Sequence, residues 1–171
     1  MSVLLALDNG YQACILAPTE ILSVQHYNDL LKYCNKLNIN ISILTGSTKT
    51  SERKVLLEAL SDGSLHILVG THALLENRVV FKNLGLAVID EQHRFGVQQR
   101  AELLNKAAHP HMLVMSATPI PRSLAMSLYA DLDISIIKGL PKGRKPIRTA
   151  IRSDKRREDV YSFVEGELSD G

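Results

Sequence analysis

Short apolar runs alternate with segments of helical periodicity along most of the chain. The runs are rich in Val, Ile and Leu and are short enough to be strands. The predicted strands are 13–16, 39–44, 66–69, 86–89, 112–115 and 134–137. The segments between them repeat apolar residues every three or four positions, which predicts amphipathic helices. The predicted helices are 2–9, 20–37, 51–60, 97–106 and 121–129.

Strands that are apolar throughout and separated by helices are typical of a parallel sheet covered on both faces. We therefore predict an α/β fold for residues 1–138. Residues 139–147 combine Gly and Pro with basic residues, which favours a linker between two domains.

Beyond the linker the pattern starts again. Residues 147–151 suit a short strand, and Ser153 suits the cap of a helix with one apolar face. That face would consist of Val160, Phe163, Val164 and Leu168. We predict that residues 148–171 are the truncated start of a second domain.

Composition narrows the class of protein only slightly. The chain has 171 residues, 45% of them apolar, and a net charge of +2, which fits an ordinary globular protein without a dominant field for nucleic acid. Residues 138–157 hold nine Lys or Arg and one acid, so this segment either grips phosphates or is a solvated linker. Cys14 and Cys34 have no metal-ligand spacing, and no leader or long apolar run is present. These features predict a soluble protein of the reducing cytoplasm.

Two acids follow the predicted strand 86–89 directly. Asp90 and Glu91 would emerge at the carboxyl edge of a parallel sheet, where such folds bind nucleotides. Mg²⁺ prefers carboxylate oxygen, which suits Asp90, and Glu91 could take a proton from an attacking water. A solvated turn is the alternative for an isolated acid pair.

A second strand end supports the catalytic interpretation. Met115-Ser116-Ala117-Thr118-Pro119 ends an apolar run in small hydroxyl residues, which can hydrogen-bond a neighbouring carboxylate or histidine. Downstream of Asp90-Glu91-Gln92-His93, this combination resembles motifs II and III of superfamily-two helicases.

The longer strings DEQHRFGVQQR, at 90–100, and ATPIPRSLAM, at 117–126, resemble the RecG-type DNA helicases in particular. Further segments are similar to the motif Ia, the DNA-contacting elements and the interdomain linker of that family. These segments are 17–22 with 25–26, 44–47, 70–74 and 140–147. The transcription-repair coupling translocase shares part of the pattern, but Gln92 and the linker favour RecG.

The resemblance implies a RecA-like P-loop NTPase fold, a three-layer sandwich that here lacks its first strand and phosphate-binding loop. It implies ATP and Mg²⁺ as cofactors and branched or forked DNA as the partner, in replication-fork remodelling and DNA repair. The catalytic residues it implies are Asp90, Glu91, His93, Ser116 and Thr118, with Asp90 and Glu91 at the metal. The DNA-binding residues it implies are Pro18, Thr19, Glu20, Gln25, His26, Thr45, Gly46, Gly70, Thr71, Arg94 and Arg122.

The sequence contains no G-x-x-x-x-G-K-S/T string. Gly46-Ser47-Thr48-Lys49-Thr50 imitates it between a strand and a helix, but Thr48 replaces the second glycine and would crowd a phosphate. We therefore expect no appreciable ATPase activity from the chain alone. We also expect self-association or reduced stability, because the missing strand and phosphate loop would expose sheet edge and apolar surface. A nonhydrolytic DNA- or partner-binding module and a piece of an RNA helicase are the rival functions.

Overall fold

The computed structural model describes residues 1–91, 95–108, 110–117, 133–137, 143, 147 and 149–170. Within these ranges, the side chains of residues 97, 98, 100 and 170 are not described. The chain divides into two compact units, residues 1–124 and 125–171. Most residues around the predicted linker boundaries at 138 and 147 lie outside the described ranges, so these domain boundaries stay predictions.

The first unit contains five parallel strands. They are β1 (Gln12–Leu16), β2 (Ile41–Leu44), β3 (Ile67–Gly70), β4 (Leu84–Ile89) and β5 (His111–Val114). Their order across the sheet is β2-β3-β1-β4-β5, and every neighbouring pair is parallel. The first five predicted strands are confirmed to within two residues at each end, so an apolar run bounded by polar residues located each of them.

Helices cover both faces of this sheet. They are α1 (Ser2–Asp8), α2 (Glu20–Leu37), α3 (Thr50–Asp62) and α4 (Val97–Leu104), with a short 3-10 helix, η1 (His72–Leu75). Residues of α1 and α2 pack on one face of the sheet, and residues of α3, η1 and α4 pack on the other. The predicted three-layer α/β sandwich is confirmed. Successive side chains of a strand point to opposite faces, so β1, β2, β3 and β4 each contribute to both cores.

The helix boundaries follow from local chemistry. Thr19 has extended backbone angles and its hydroxyl accepts a hydrogen bond from Leu22 N, so it caps α2 at the predicted residue. Asn38 ends the same helix in the left-handed conformation, which Asn tolerates better than most residues. Gly63 ends α3 in the same way.

One buried polar side chain ties the amino-terminal end of the sheet together. Gln12 is 4% exposed. Its Nε2 donates to the carbonyl oxygens of Leu60 and Leu65, at 2.9 and 2.7 Å, and its Oε1 accepts from Asn83 N at 2.9 Å. It therefore joins β1 to the end of α3 and to the start of β4.

The second unit contains one long described helix, α5 (Arg157–Asp170), preceded by a 3-10 turn at Asp154–Arg156. The helix predicted after Ser153 is confirmed. Its apolar face is exposed, with Phe163 at 66% and Leu168 at 78%. None of the helices in the described part of the chain is both long and apolar enough to cross a membrane.

Two strand predictions are wrong for the described residues. Residues 133–137 form no strand, and neither do 147 and 149–151. Ile134, Ile136, Ile147 and Ile151 are exposed. A β-rich run becomes a strand only when a neighbouring strand pairs with it, and apolar content alone does not supply that neighbour. The predicted helix 121–129 lies outside the described residues.

Candidate functional site

The parallel sheet brings the predicted site residues to one edge. Asp90 directly follows β4, Pro18 follows β1 by two residues, Thr71 follows β3 and Thr45 follows β2. Because these four strands are neighbours and run the same way, the segments after them lie side by side at the carboxyl edge. The acid pair and the segments that the resemblance assigned to DNA binding therefore lie at the same edge of the sheet.

The acid pair stands at a sharp turn. Asp90 N donates to Leu16 O at 3.0 Å, so β4 keeps its pairing with β1 up to the first acid. Glu91 then adopts a φ of 49°, in the left-handed region that non-glycine residues rarely enter. Glu91 N donates to Asp90 Oδ1 at 2.9 Å. Local strain of this kind is often found at functional sites, where the surrounding structure holds it in place.

His26 contacts the first acid directly. Its Nε2 lies 2.7 Å from Asp90 Oδ2, and an ionised carboxylate only accepts, so Nε2 donates. The side chains are 29% and 19% exposed. The resemblance had grouped His26 with the DNA-contacting motif Ia. Sequence analysis did not predict this contact, because 64 positions separate the two residues.

The chemistry of this edge fits a hydrated divalent cation. Among the described residues, each oxygen of Asp90 accepts one hydrogen bond, and a carboxylate oxygen has a second lone pair to offer. No group of three or more His, Cys, Asp or Glu that could hold a metal occurs among the described residues. Mg²⁺ suits such a sparse site, since it takes one or two carboxylates and completes its shell with waters and phosphate oxygens.

Ser116 lies beside the acid pair along the edge. Met115 N donates to Ile89 O at 2.9 Å, which extends the pairing of β5 with β4 to the residue before Ser116. Asp90 and Ser116 therefore follow adjacent strands of the sheet. Of the other predicted residues, His93, Arg94, Thr118 and Arg122 lie outside the described residues.

Glu20 holds the turn that follows β2. Its carboxylate accepts from Ser47 N at 3.2 Å and from Ser47 Oγ at 3.1 Å. The turn is also closed internally, because Thr45 N donates to Thr48 Oγ1 at 2.9 Å. A Cβ on Gly46 would lie 3.3 Å from Glu20 Oε1. The N–H of Ser47 is thus already bonded to a carboxylate, whereas a phosphate-binding loop presents its N–H groups to phosphate, which supports the view that 46–50 only imitates such a loop.

The turns after β2 and β3 touch through their backbones. A Cβ on Gly70 would lie 2.1 Å from Leu44 O, a distance that no side chain tolerates. Thr71 N donates to the same oxygen at 3.4 Å. Thr71 is 3% exposed, and its Oγ1 has no hydrogen-bond partner among the described residues. Its hydroxyl thus points inward, whereas Gln25 and Gly46 are exposed.

Three basic side chains form a network of hydrogen bonds next to these turns, which sequence analysis did not predict. Arg53 is 8% exposed and donates to the Glu76 carboxylate and to Thr45 O. Hydrogen bonds from Arg78 and Arg53 lower the pKa of Glu76. Lys106 Nζ donates to Glu76 O and Val79 O, at 2.8 and 3.0 Å, and its partial burial lowers its pKa. Nothing distinguishes Arg53 from Lys54 in the sequence, because both lie in a polar helix start.

Known proteins share these features. A family model described as DEAD/DEAH box helicase matches residues 1–127. The chain is 52% identical over 170 residues to the ATP-dependent DNA helicase RecG of Synechocystis sp., and 49% identical over 173 residues to that of Aquifex aeolicus. These matches cover 99% and 100% of this chain but 20% and 22% of the relatives, so the chain spans about a fifth of their length.

Comparison with solved structures leads to the same family. A RecG bound to a three-way DNA junction superposes with a TM-score of 0.80 at 43% identity, over 99% of this chain and 23% of that one. The helicase MrfA bound to DNA and AMPPNP superposes with a TM-score of 0.67 over 97% of this chain and 27% of that one. At 23% identity it supports the fold alone.

The chain therefore belongs to the DEAD/DEAH box helicase family. The resemblance to RecG that the motif strings predicted is confirmed by its similarity to RecG sequences and to the RecG structure.

Proposed function

We propose that this chain forms part of the first motor domain of an ATP-dependent DNA translocase that remodels branched DNA and stalled replication forks. The observation that carries the proposal is the contact between His26 and Asp90. It links the helix that starts at the motif Ia residues to the acid expected to handle the nucleotide's metal. His26 lies seven residues beyond Thr19, a distance of about 10 Å along a helix.

In this mechanism Asp90 would hold Mg²⁺, directly or through water, and Glu91 would accept a proton from the attacking water. Bound Mg²⁺–ATP would supply the phosphoryl group that is hydrolysed. The bonds from His26 and from Glu91 N fix the plane of the Asp90 carboxylate before the metal arrives. His93, Ser116 and Thr118 would then relay the nucleotide state along the carboxyl edge.

The DNA side of the proposal rests on the segments after β1, β2 and β3. Backbone N–H groups and hydroxyls at the start of α2, including that of Thr19, are suitable donors to phosphate. The remaining residues proposed here are Pro18, Glu20, Gln25, Thr45, Gly46, Gly70, Thr71, Arg94 and Arg122. Glu20 acts by holding the turn at Ser47. Contacts to the phosphate backbone position DNA without reading its sequence.

The chain alone is proposed to bind DNA without hydrolysing ATP, since its sequence has no phosphate-binding loop. The phosphate loop and a second motor domain would come from the rest of a longer helicase. ATP hydrolysis in Mg²⁺ and forked DNA, with Glu91→Gln as the matched control, tests this. Turnover that Glu91→Gln abolishes would contradict the proposal, and turnover equal in both proteins would indicate a contaminating ATPase.

Binding of labelled duplex DNA, forked DNA and duplex RNA, followed by fluorescence anisotropy, tests the substrate class. We expect both DNA forms to bind more tightly than RNA, and the affinity to fall steeply with salt. Equal or tighter binding to RNA would favour an RNA helicase. Absence of binding to any nucleic acid would favour a partner-binding module.

We further propose a cytoplasmic location and self-association of the isolated chain. Both cysteines are buried and free, as in a reducing compartment. In the described part of the chain β5 pairs only with β4, and Leu113 and Met115 are 40% and 38% exposed. Exposed sheet edges promote association. Sedimentation that finds a monomer over a wide concentration range would refute the second statement.

A further inference from the structure

Arg53 is a buried cation whose three side-chain hydrogen bonds all go to other segments. It lies in the first turns of α3 and is 8% exposed. One guanidinium nitrogen donates to both carboxylate oxygens of Glu76, at 2.9 and 2.8 Å, and the other donates to Thr45 O at 3.0 Å. A buried charge is costly unless it is paired and hydrogen-bonded, so this geometry is tightly constrained.

The partners of Arg53 lie in two segments that adjoin the proposed DNA contacts. Thr45 opens the turn after β2, and Glu76 directly follows η1, which begins beyond Gly70 and Thr71. The turns already meet through Thr71 N and Leu44 O, but that hydrogen bond is long at 3.4 Å. Arg53 adds shorter, charge-assisted bonds between the Thr45 turn and Glu76, at the other end of η1.

Glu76 is also held from other sides. Arg78 Nε donates to its carboxylate, and Lys106 Nζ donates to its backbone carbonyl at 2.8 Å and to Val79 O at 3.0 Å. The segment from Glu76 to Val79 is thus tied to α3 by Arg53 and to the residues after α4 by Lys106. A loop held at several points loses less conformational entropy when it binds a ligand.

We infer that Arg53 is a positioning residue for the DNA-contacting edge. It ties the Thr45 turn to Glu76 at the end of η1. Through η1, which begins after Thr71, it holds the turns after β2 and β3 in one fixed arrangement and does not itself touch DNA. The inference rests on the proposed function for its DNA part. Burial of Arg53 separates it from a phosphate-contacting arginine, which has to reach the surface.

The test compares Arg53→Met with Lys54→Met. Lys54 is the next residue on the same helix, its side chain is 79% exposed, and the change removes the same charge. We expect Arg53→Met to weaken binding of duplex DNA to the chain about ten-fold, the loss of roughly one good contact. We expect the slope of log affinity against log salt to stay unchanged, because no phosphate-paired cation is removed. Lys54→Met should leave affinity nearly unchanged.

A fall in the salt slope of about 0.9 with Arg53→Met would mean that Arg53 pairs with a phosphate itself, and would overturn the inference. Unchanged affinity and slope would overturn it too. Glu76→Gln removes the partner charge and should give a loss similar to that of Arg53→Met. The double variant should be no worse than either single variant, because residues that act as one unit are not additive.

Hydrogen exchange of the DNA-free chain tests the positioning role of Arg53 independently of DNA binding. Amides of the turns after β2 and β3 should exchange faster together in Arg53→Met than in Lys54→Met, while amides of β1 stay protected. Protected β1 amides exclude global unfolding as the cause. If the wild-type chain bound no DNA, the proposed function would fail. Faster exchange in both turns would still support the positioning role of Arg53, and unchanged exchange would overturn it.

Discussion

Replacement of Gly70 by Ala tests how closely the turns after β2 and β3 are packed. The new Cβ would lie 2.1 Å from Leu44 O, 3.1 Å from the Leu44 carbonyl carbon and 3.2 Å from a methyl group of Leu74. Carbon and oxygen atoms that are not bonded approach to about 3.3 Å. The ends of β2 and β3 must therefore separate by roughly 1 Å, and the obstacle is backbone, which cannot rotate away.

The cost can be estimated from the contacts that separation breaks. Leu44 is paired with Gly70 in the register of the two strands, and Thr71 N donates to Leu44 O. One lost hydrogen bond costs about 1 kcal/mol net, and overpacking costs about 1–3 kcal/mol. The lower entropy of Ala in the unfolded chain offsets about 0.4–1 kcal/mol. We expect a net destabilisation of about 2–3 kcal/mol.

Urea unfolding followed by far-UV circular dichroism measures this loss. With an m-value of about 1–3 kcal/mol per M, the unfolding midpoint should fall by about 0.7–3 M. Gly46→Ala is the matched control, because its Cβ would meet only the flexible end of Glu20, at 3.3 Å. Its midpoint should stay near that of the wild type. A Gly70→Ala midpoint equal to that of Gly46→Ala would refute the packing argument.

Three further predictions concern stability, pH and thiol reactivity. Gln12→Leu should lower the free energy of unfolding in urea by about 2–4 kcal/mol, because buried partners of its three hydrogen bonds lose them; a change below about 0.5 kcal/mol would contradict this. The pKa of Glu76 is lowered from 4.5 by its arginine partners, so its stabilisation is present above pH 4.5 and is lost as pH falls through the lower folded value. The difference in stability between wild type and Glu76→Gln should therefore shrink in urea titrations below pH 4.5, and a constant difference would count against the ion pairs. Burial raises the pKa of Cys14 to about 12 and also raises that of Cys34, so both thiols are protonated at pH 8 and iodoacetamide should label them only as fast as the chain unfolds; rapid labelling of the folded protein would be the opposite result.

The fold and the position of the acid pair could be predicted from the sequence, but the tertiary contacts around the acid pair could not. Asp90 and Glu91 could be located because a strand period and two charges are local features of the chain. The contact of His26 with Asp90 joins residues 64 positions apart, and such pairings depend on how a helix is laid against a sheet. The role of Gly70 was likewise hidden, because the resemblance marked it for DNA while the structure shows Leu44 O in the space of its Cβ.

The sequence by itself determined the alternation of strands and helices, the parallel α/β class and the resemblance to RecG. Apolar periodicity sets which faces must be buried, and a motif can be recognised from consecutive residues without knowing which residues are close in space. Only the tertiary structure decided that Arg53 is buried and Lys54 exposed, and that residues 133–137 form no strand. Burial of a charge and pairing of a strand both need a partner from a distant part of the chain, and local sequence does not specify that partner.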